Sequence, residues 1–284
     1  MTTTTEDPNR ALWTAIAAGQ DPVWEDLGAD PDTIETELTG DPAGRWLRPP
    51  DPLPGAAVLA IHGGGFVGGS TQTHRRLFGR LAEAAGAATF AAEYGLVPEH
   101  VFPSQLDTVT AAYRWLLDRG ETRVAVTGDS CGAGLALALA VRARDEGLPA
   151  PAGLMLISAW VDLEATGDSY DTGTDPFFTR DLVRQLGAGY LAGAAPHDPL
   201  AAPIHADLRD LPPVYLQVGT EEACLDDSRR LAGRLLEAGV QVRLEEYAGQ
   251  LHTFQMGAGK TPVADEAVGK AGRWLRSTLT SRMG

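Results

Sequence analysis

Cysteine is nearly absent from this chain. Cys131 and Cys224 are the only two in 284 residues, too few for a disulfide framework and without the spacing of a structural metal site. Long apolar runs are missing as well, and no segment approaches the roughly 20 residues of a membrane span. The start, Met1-Thr2-Thr3-Thr4-Thr5-Glu6-Asp7, has neither the basic residues nor the apolar stretch of a secretory leader. Positive charge is scarce: 23 Lys and Arg stand against 38 Asp and Glu, leaving a formal charge of −15. Such a surface is repelled by phosphate backbones and anionic lipid, so neither nucleic acid nor a membrane is expected as a partner. Together these shortages make the cytoplasm the expected compartment.

What is present is a core. Hydrophobic residues make up 44% of the chain, enough for a globular protein of this size. Ala56 to Ile61 is a continuous apolar run that ends in His62-Gly63-Gly64-Gly65-Phe66, the pattern of a buried strand with a glycine loop at its C-terminal edge. Helical and strand patterns then alternate. His74 to Ala85 reads as a helix, Ala87 to Ala92 as a strand, Pro103 to Asp118 as a helix and Val124 to Thr127 as a strand. A helix at Gly134 to Arg144, a strand at Leu154 to Ile157, a strand at Val214 to Val218, a helix at Ser228 to Ala238, a strand at Val242 to Glu246 and a helix at Val263 to Leu279 complete the series. Two short strands around Gly40-Asp41-Pro42 precede it, within Glu35 to Leu47. Alternation of this length means a mostly parallel sheet covered on both faces. Residues 162–205, rich in Gly, Asp, Thr and Pro but helical at Thr179 to Leu191, interrupt the rhythm. The expectation is one domain over residues 1–284, with cap elements at about 1–34 and 162–205.

The most informative stretch is Gly128-Asp129-Ser130-Cys131-Gly132, a G-x-S-x-G placed between a predicted strand and a predicted helix. At such a corner the glycines permit the tight turn and the serine is thrust outward, where a base can reach it. A serine hydroxyl needs that base, and the base needs a carboxylate to hold its tautomer. Of the histidines downstream, His197 and His205 fall in the predicted cap, whereas His252 follows a strand end, where a base belongs. The loop after the strand ending at Val218 offers Glu221, Glu222, Asp226 and Asp227, and spacing alone does not choose among them. Asp226 and Asp227 also suit the N-terminus of the helix that follows. The glycine run after His62 offers backbone N–H groups free of side chains, as an oxyanion site requires. Without a G-x-x-x-x-G-K pattern it does not read as a phosphate cradle.

From about Ala56 to Phe254 these motifs, in this order, resemble the hormone-sensitive-lipase-like (bacterial family IV) esterases of the α/β-hydrolase superfamily. His62 to Phe66 resembles that family's H-G-G-G-[FW], Glu93 to His100 its D-Y-R-L-A-P-E-H, and Gly128 to Ala133 its G-D-S-A-G-G. The resemblance implies an α/β-hydrolase fold, a mostly parallel central sheet flanked by helices, with a helical cap built from the N-terminus and an insertion. It implies Ser130 as nucleophile, His252 as base, and, from Glu222-Ala223-Cys224-Leu225-Asp226-Asp227, Glu222 as the acid. Its oxyanion donors are the N–H groups of Gly64, Gly65 and Cys131. Three residues depart from the pattern. Cys131 replaces alanine, which sets a thiol near the acyl space and makes thiol reagents expected inhibitors; Gly95 replaces an arginine of an ion pair; Ala133 replaces a glycine. The expected activity is hydrolysis of a short-chain carboxylic ester or lactone through an acyl-enzyme, with no metal and no organic cofactor. A small-molecule ester or acetylated substrate is the expected partner, and the resemblance leaves room for a homodimer. Two other readings stay open: an N- or O-acetyl hydrolase (a deacetylase or amidase) acting on a natural product, and a non-catalytic small-molecule receptor.

Overall fold

The chain's structure, a computed structural model, describes residues 8–172 and 174–281. The first seven residues, read above for a leader and as the start of the cap, lie outside it. Among the described residues, eight strands join one sheet in the order β1-β2-β4-β3-β5-β6-β7-β8. They are β1 (Glu35–Gly40), β2 (Ala43–Arg48), β3 (Ala56–Ile61), β4 (Ala88–Ala92), β5 (Arg123–Asp129), β6 (Leu154–Ile157), β7 (Val214–Gly219) and β8 (Val242–Tyr247). From β4 to β8 every pairing is parallel, and β2 runs against both its neighbours. This is an α/β-hydrolase fold.

Strand β3 shows why the run is apolar throughout. Its residues alternate between two cores: Ala57, Leu59 and Ile61 face one side, and Ala56, Val58 and Ala60 the other, all of them buried. The first face is covered by α3 (Ser104–Asp118), α4 (Cys131–Asp145) and α7 (Leu225–Glu237). The second is covered by α1 (Pro8–Ala17), α2 (Arg75–Ala85) and α8 (Pro262–Thr280). A strand buried on both faces cannot alternate polar with apolar. Helix α2 stops because Gly86 takes a left-handed conformation, φ 59°, and returns its N–H to the carbonyls of Ala82 and Glu83.

Two helices start three residues before the sequence reading, both for a reason that matters. Helix α4 begins at Cys131, three residues before the expected Gly134, because Ser130 itself is the residue at its N-terminal boundary. Helix α7 begins at Leu225 rather than Ser228, so Asp226 and Asp227 belong to its first turn. The segment 162–205 carries α5 (Ser169–Thr172) and α6 (Arg180–Leu191). Thr179 caps α6 by accepting the Leu182 N–H at 3.2 Å. No helix among the described residues is long and apolar enough to cross a membrane.

Candidate active site

The turn between β5 and α4 is built by exclusion of side chains. A Cβ on Gly128 would strike the carbonyl of Gly132, and one on Gly132 would strike the carbonyls of Ile61 and His62. Both positions of the G-x-S-x-G therefore need glycine for close approach, not merely for flexibility. Ser130 between them sits at φ 54° and ψ −124°, a conformation a non-glycine residue adopts only where the surroundings hold it. The surroundings do hold it: its N–H donates to Ile157 O at 2.9 Å, and its own carbonyl accepts the N–H groups of Ala133 and Gly134.

A cavity of about 290 Å³ opens above Ser130. Its wall includes Gly64, Gly65, Ser130 and His252 from the sheet's C-terminal edge, Trp13, Ile16 and Trp24 from the N-terminal elements, and Phe177, Phe178, Leu182 and Leu186 from the 162–205 segment. Ser130 and His252 thus face one space, although 122 positions part them in the chain (252 − 130). His252 is almost wholly buried, and its Nε2 has no hydrogen-bond partner among the described residues. Its Nδ1 lies 3.5 Å from Glu222 Oε1, the range of a charge pair rather than of a full hydrogen bond. Burial pulls the imidazolium down, but pairing with Glu222 outweighs it and holds His252 above its ordinary value.

The histidine loop is clamped from outside the sheet. The backbone carbonyl of His252 accepts the Asn9 side-chain amide at 3.0 Å and the Trp13 indole N–H at 2.9 Å. The Phe178 ring meets the imidazole edge-on with centroids 4.5 Å apart. Glu222 is fixed through its other oxygen, Oε2, which accepts the Ser158 hydroxyl at 2.8 Å and the Gly219 N–H at 3.0 Å. The Ser158 oxygen in turn accepts the Thr253 N–H at 3.0 Å. A single hydroxyl therefore ties the loop carrying Glu222 to the loop carrying His252. Nothing in the sequence reading singled out Ser158, Asn9 or Trp13; their roles come from contacts across long stretches of chain, which no local pattern announces.

The four loop carboxylates separate cleanly. Glu221 is half-exposed and pairs with Arg10 at 2.6 Å, while its Oε2 also accepts the Thr174 hydroxyl. Asp226 accepts the Ser169 N–H at 2.9 Å. Asp227 is neither exposed nor a bare helix-end charge, as the sequence had suggested for it. It is fully buried, accepts the N–H groups of Val161 and Asp162, and burial raises its carboxyl to about 7. Glu222 alone of the four contacts His252.

Beside the glycine loop lies a second buried cluster. The Gly63 N–H donates to Asp129 Oδ1 at 3.1 Å, and Asp129 Oδ2 stands 3.2 Å from His74 Nε2. Burial works against a charged Asp129, but the surrounding histidines, His74 foremost with His62 and His252, together offset it and keep the carboxyl low. His62 stacks on Tyr94 with centroids 4.1 Å apart, and burial lowers it to about 4, so it is neutral at pH 7. The Tyr94 hydroxyl donates to the His62 carbonyl at 2.7 Å. These contacts set the loop's backbone, and the N–H groups of Gly64, Gly65 and Cys131 have no backbone acceptor among the described residues.

Cys131 corrects one expectation. Its side chain is fully buried, packs 3.8 Å from the Tyr94 hydroxyl and is absent from the cavity wall. Burial pushes the thiol up to about 12, against the weaker pull of the Phe66 and Gly65 amides. It is a core side chain, not a reactive neighbour of the acyl space. Gly95 leaves no gap where an arginine was expected, since a Cβ there would collide with the His100 ring. Ala133 is accommodated in α4 with no exposure.

An elbow serine and a histidine paired with a carboxylate, gathered over the carboxyl ends of a parallel sheet, define a hydrolase class. The family model for the alpha/beta hydrolase fold matches residues 58–256. An acetyl-hydrolase of Streptomyces hygroscopicus is 40% identical over 255 residues, covering 88% of this chain and 84% of its own. An esterase of Acinetobacter venetianus is 36% identical over 216 residues, covering 74% and 71%. A crystal structure of an esterase from the bacterial hormone-sensitive lipase family superposes with a TM-score of 0.91 at 36% identity, covering 98% of this chain and all of the other. The chain belongs to the hormone-sensitive-lipase-like esterases of the α/β-hydrolase superfamily. It is a carboxylic ester hydrolase.

Proposed function

We propose that the enzyme cleaves esters of small apolar acids through Ser130, His252 and Glu222 and an acyl-enzyme. Ser130 Oγ attacks the ester carbonyl while His252 Nε2 takes its proton, then returns it to the departing alcohol. Glu222 holds His252 Nδ1 protonated and stabilises the imidazolium. The N–H groups of Gly64, Gly65 and Cys131 receive the negative oxygen of the tetrahedral intermediate, each such donor typically lowering the barrier by about 3 kcal/mol. Water, activated by the same histidine, releases the acid. The residues around 8–34 and 162–205 act as the cap, carrying the cavity's aromatic and aliphatic wall.

The observation that carries this reading is the shared cavity: the elbow serine and a histidine with an unpartnered Nε2 face one apolar space. Asp129 and His252 are the only titratable residues on its described wall. A charged or polyhydroxylated substrate would find almost nothing there to replace lost water, which favours a simple ester over a polar acetylated natural product. The two free buried thiols, Cys131 and Cys224, suit a reducing compartment, and we take the cytoplasm as its place. p-Nitrophenyl butyrate should be turned over faster than its charged acyl analogues, and Ser130→Ala should lower that turnover by at least about 10⁴-fold. Turnover that survives in the alanine variant removes the serine from the mechanism; preference for an acetamide or charged acetyl ester moves the reading to deacetylation.

A further inference from the structure

Three metal-competent side chains converge away from the cavity, at the two ends of the segment that carries α5 and α6. Glu164 lies near its start and His197 and His205 near its finish. Glu164 Oε2 stands 2.8 Å from His197 Nε2, and the rings of His197 and His205 meet at 63° with centroids 4.6 Å apart. One ligand atom from each of the three lies within 4.8 Å of the others. None of the three lines the cavity.

Their backbones are held. The Asp162 carboxylate accepts the N–H of Glu164 at 3.0 Å and of Thr166 at 3.1 Å, and pairs with Arg230 at 2.8 Å. Arg184 donates to the Glu164 carbonyl at 2.8 Å. After His197, the Asp198 carbonyl accepts the N–H groups of Ala201 and Ala202, and its side chain accepts that of Leu200. His205 ends a tight helical turn, Pro203–His205, with its N–H on the Ala202 carbonyl. Donors mounted on a fixed frame lose little freedom when an ion arrives.

From this arrangement the geometry points to a divalent transition-metal site, of the Zn²⁺ type, made by Glu164, His197 and His205. Two imidazoles and one carboxylate suit Zn²⁺, Ni²⁺ or Cu²⁺, whereas Mg²⁺ and Ca²⁺ want oxygen alone. Around a tetrahedral Zn²⁺ with ligands at about 2.0–2.1 Å, the donor atoms sit a little over about 3 Å apart. The exposed His197 ring closes that difference by a small rotation. Three protein donors leave one position for water. The ion joins residue 164 to residues 197–205 and so clasps the segment that supplies Phe177, Phe178, Leu182 and Leu186 to the cavity wall. Its effect is on the stability of that segment, not on the bond-breaking step.

The test is calorimetric titration of ZnCl₂ into the full chain after chelator treatment, with MgCl₂ as control. One equivalent of Zn²⁺ should bind, raising Tm, and Mg²⁺ should give neither heat nor stabilisation. His197→Ala, His205→Ala and Glu164→Gln should each weaken Zn²⁺ binding by at least about tenfold and abolish the rise in Tm, while metal-free turnover of p-nitrophenyl butyrate stays at the wild-type level and certifies folding. Absence of binding at millimolar Zn²⁺ overturns the site, as does binding that persists undiminished in the His197→Ala/His205→Ala double variant.

Discussion

Two buried histidine–carboxylate pairs flank Ser130, and they differ in one respect that decides their use. His74 faces Asp129 at 3.2 Å and His252 faces Glu222 at 3.5 Å, and all four side chains are essentially without solvent exposure. The second nitrogen of His74 is taken: its Nδ1 lies 2.8 Å from the Thr73 hydroxyl. The Nε2 of His252 is untaken and its ring is on the cavity wall. Similar chemistry is thus closed off in one place and open to the cavity in the other. The pair at His74 braces the glycine loop through Asp129 and the Gly63 N–H. A base needs an open nitrogen facing substrate, and burial beside an acid does not supply it.

The sharpest way to break this comparison is to replace each histidine by asparagine. His252→Asn should reduce p-nitrophenyl butyrate turnover by about 10⁴-fold or more while leaving a folded protein. His74→Asn should cost about 3 kcal/mol of stability in denaturant melts by stranding the buried Asp129, with the rate per folded molecule falling far less. Equal losses of rate in both variants would erase the distinction.

A smaller effect separates the two acids. Glu222→Gln should slow turnover by about 10²–10³-fold and also move the acid limb of kcat/KM. Pairing with Glu222 raises His252, so in the wild type activity is lost as pH falls through that raised value. Without that carboxylate, burial is opposed only by the weaker fields of Asp175 and Asp129, and the limb shifts to lower pH. A limb that stays put, read from a pH–rate profile, would mean that Glu222 does not set the base. The same linkage has a stability sign: the His252–Glu222 pairing stabilises the fold fully below the ordinary histidine value and fades as pH rises through the raised one.

The smallest expected effect is none at all. An aromatic disulfide reagent should leave turnover of the native enzyme unchanged and label neither thiol until denaturant is added, since both Cys131 and Cys224 are buried and shifted upward. Inhibition that tracks labelling of Cys131 would place that thiol at the acyl space after all.

Much of this molecule was legible in the chain. The apolar strand Ala56–Ile61, the glycine run after it and the G-x-S-x-G at a strand end are local patterns, and close backbone approach enforces the last of them: a Cβ at Gly128 would meet the carbonyl of Gly132, and one at Gly132 the carbonyls of Ile61 and His62. Parallel strands with both faces covered follow from their unbroken hydrophobicity. What spacing alone could not rank was the set of carboxylates at 221, 222, 226 and 227, where only the family resemblance pointed to Glu222; they look alike in composition and differ in what surrounds them. Nor could the sequence tell that the thiol of Cys131 turns into the core, because a residue one step from the elbow serine can point either way. Ser158 bridging two loops, and Asn9 and Trp13 gripping the carbonyl of His252, depend on segments 64 to 243 residues apart. Chain patterns set which elements form; the packing of those elements alone determined which polar atom was paired, which was buried and which was left open for chemistry, since each depends on neighbours supplied from elsewhere in the chain.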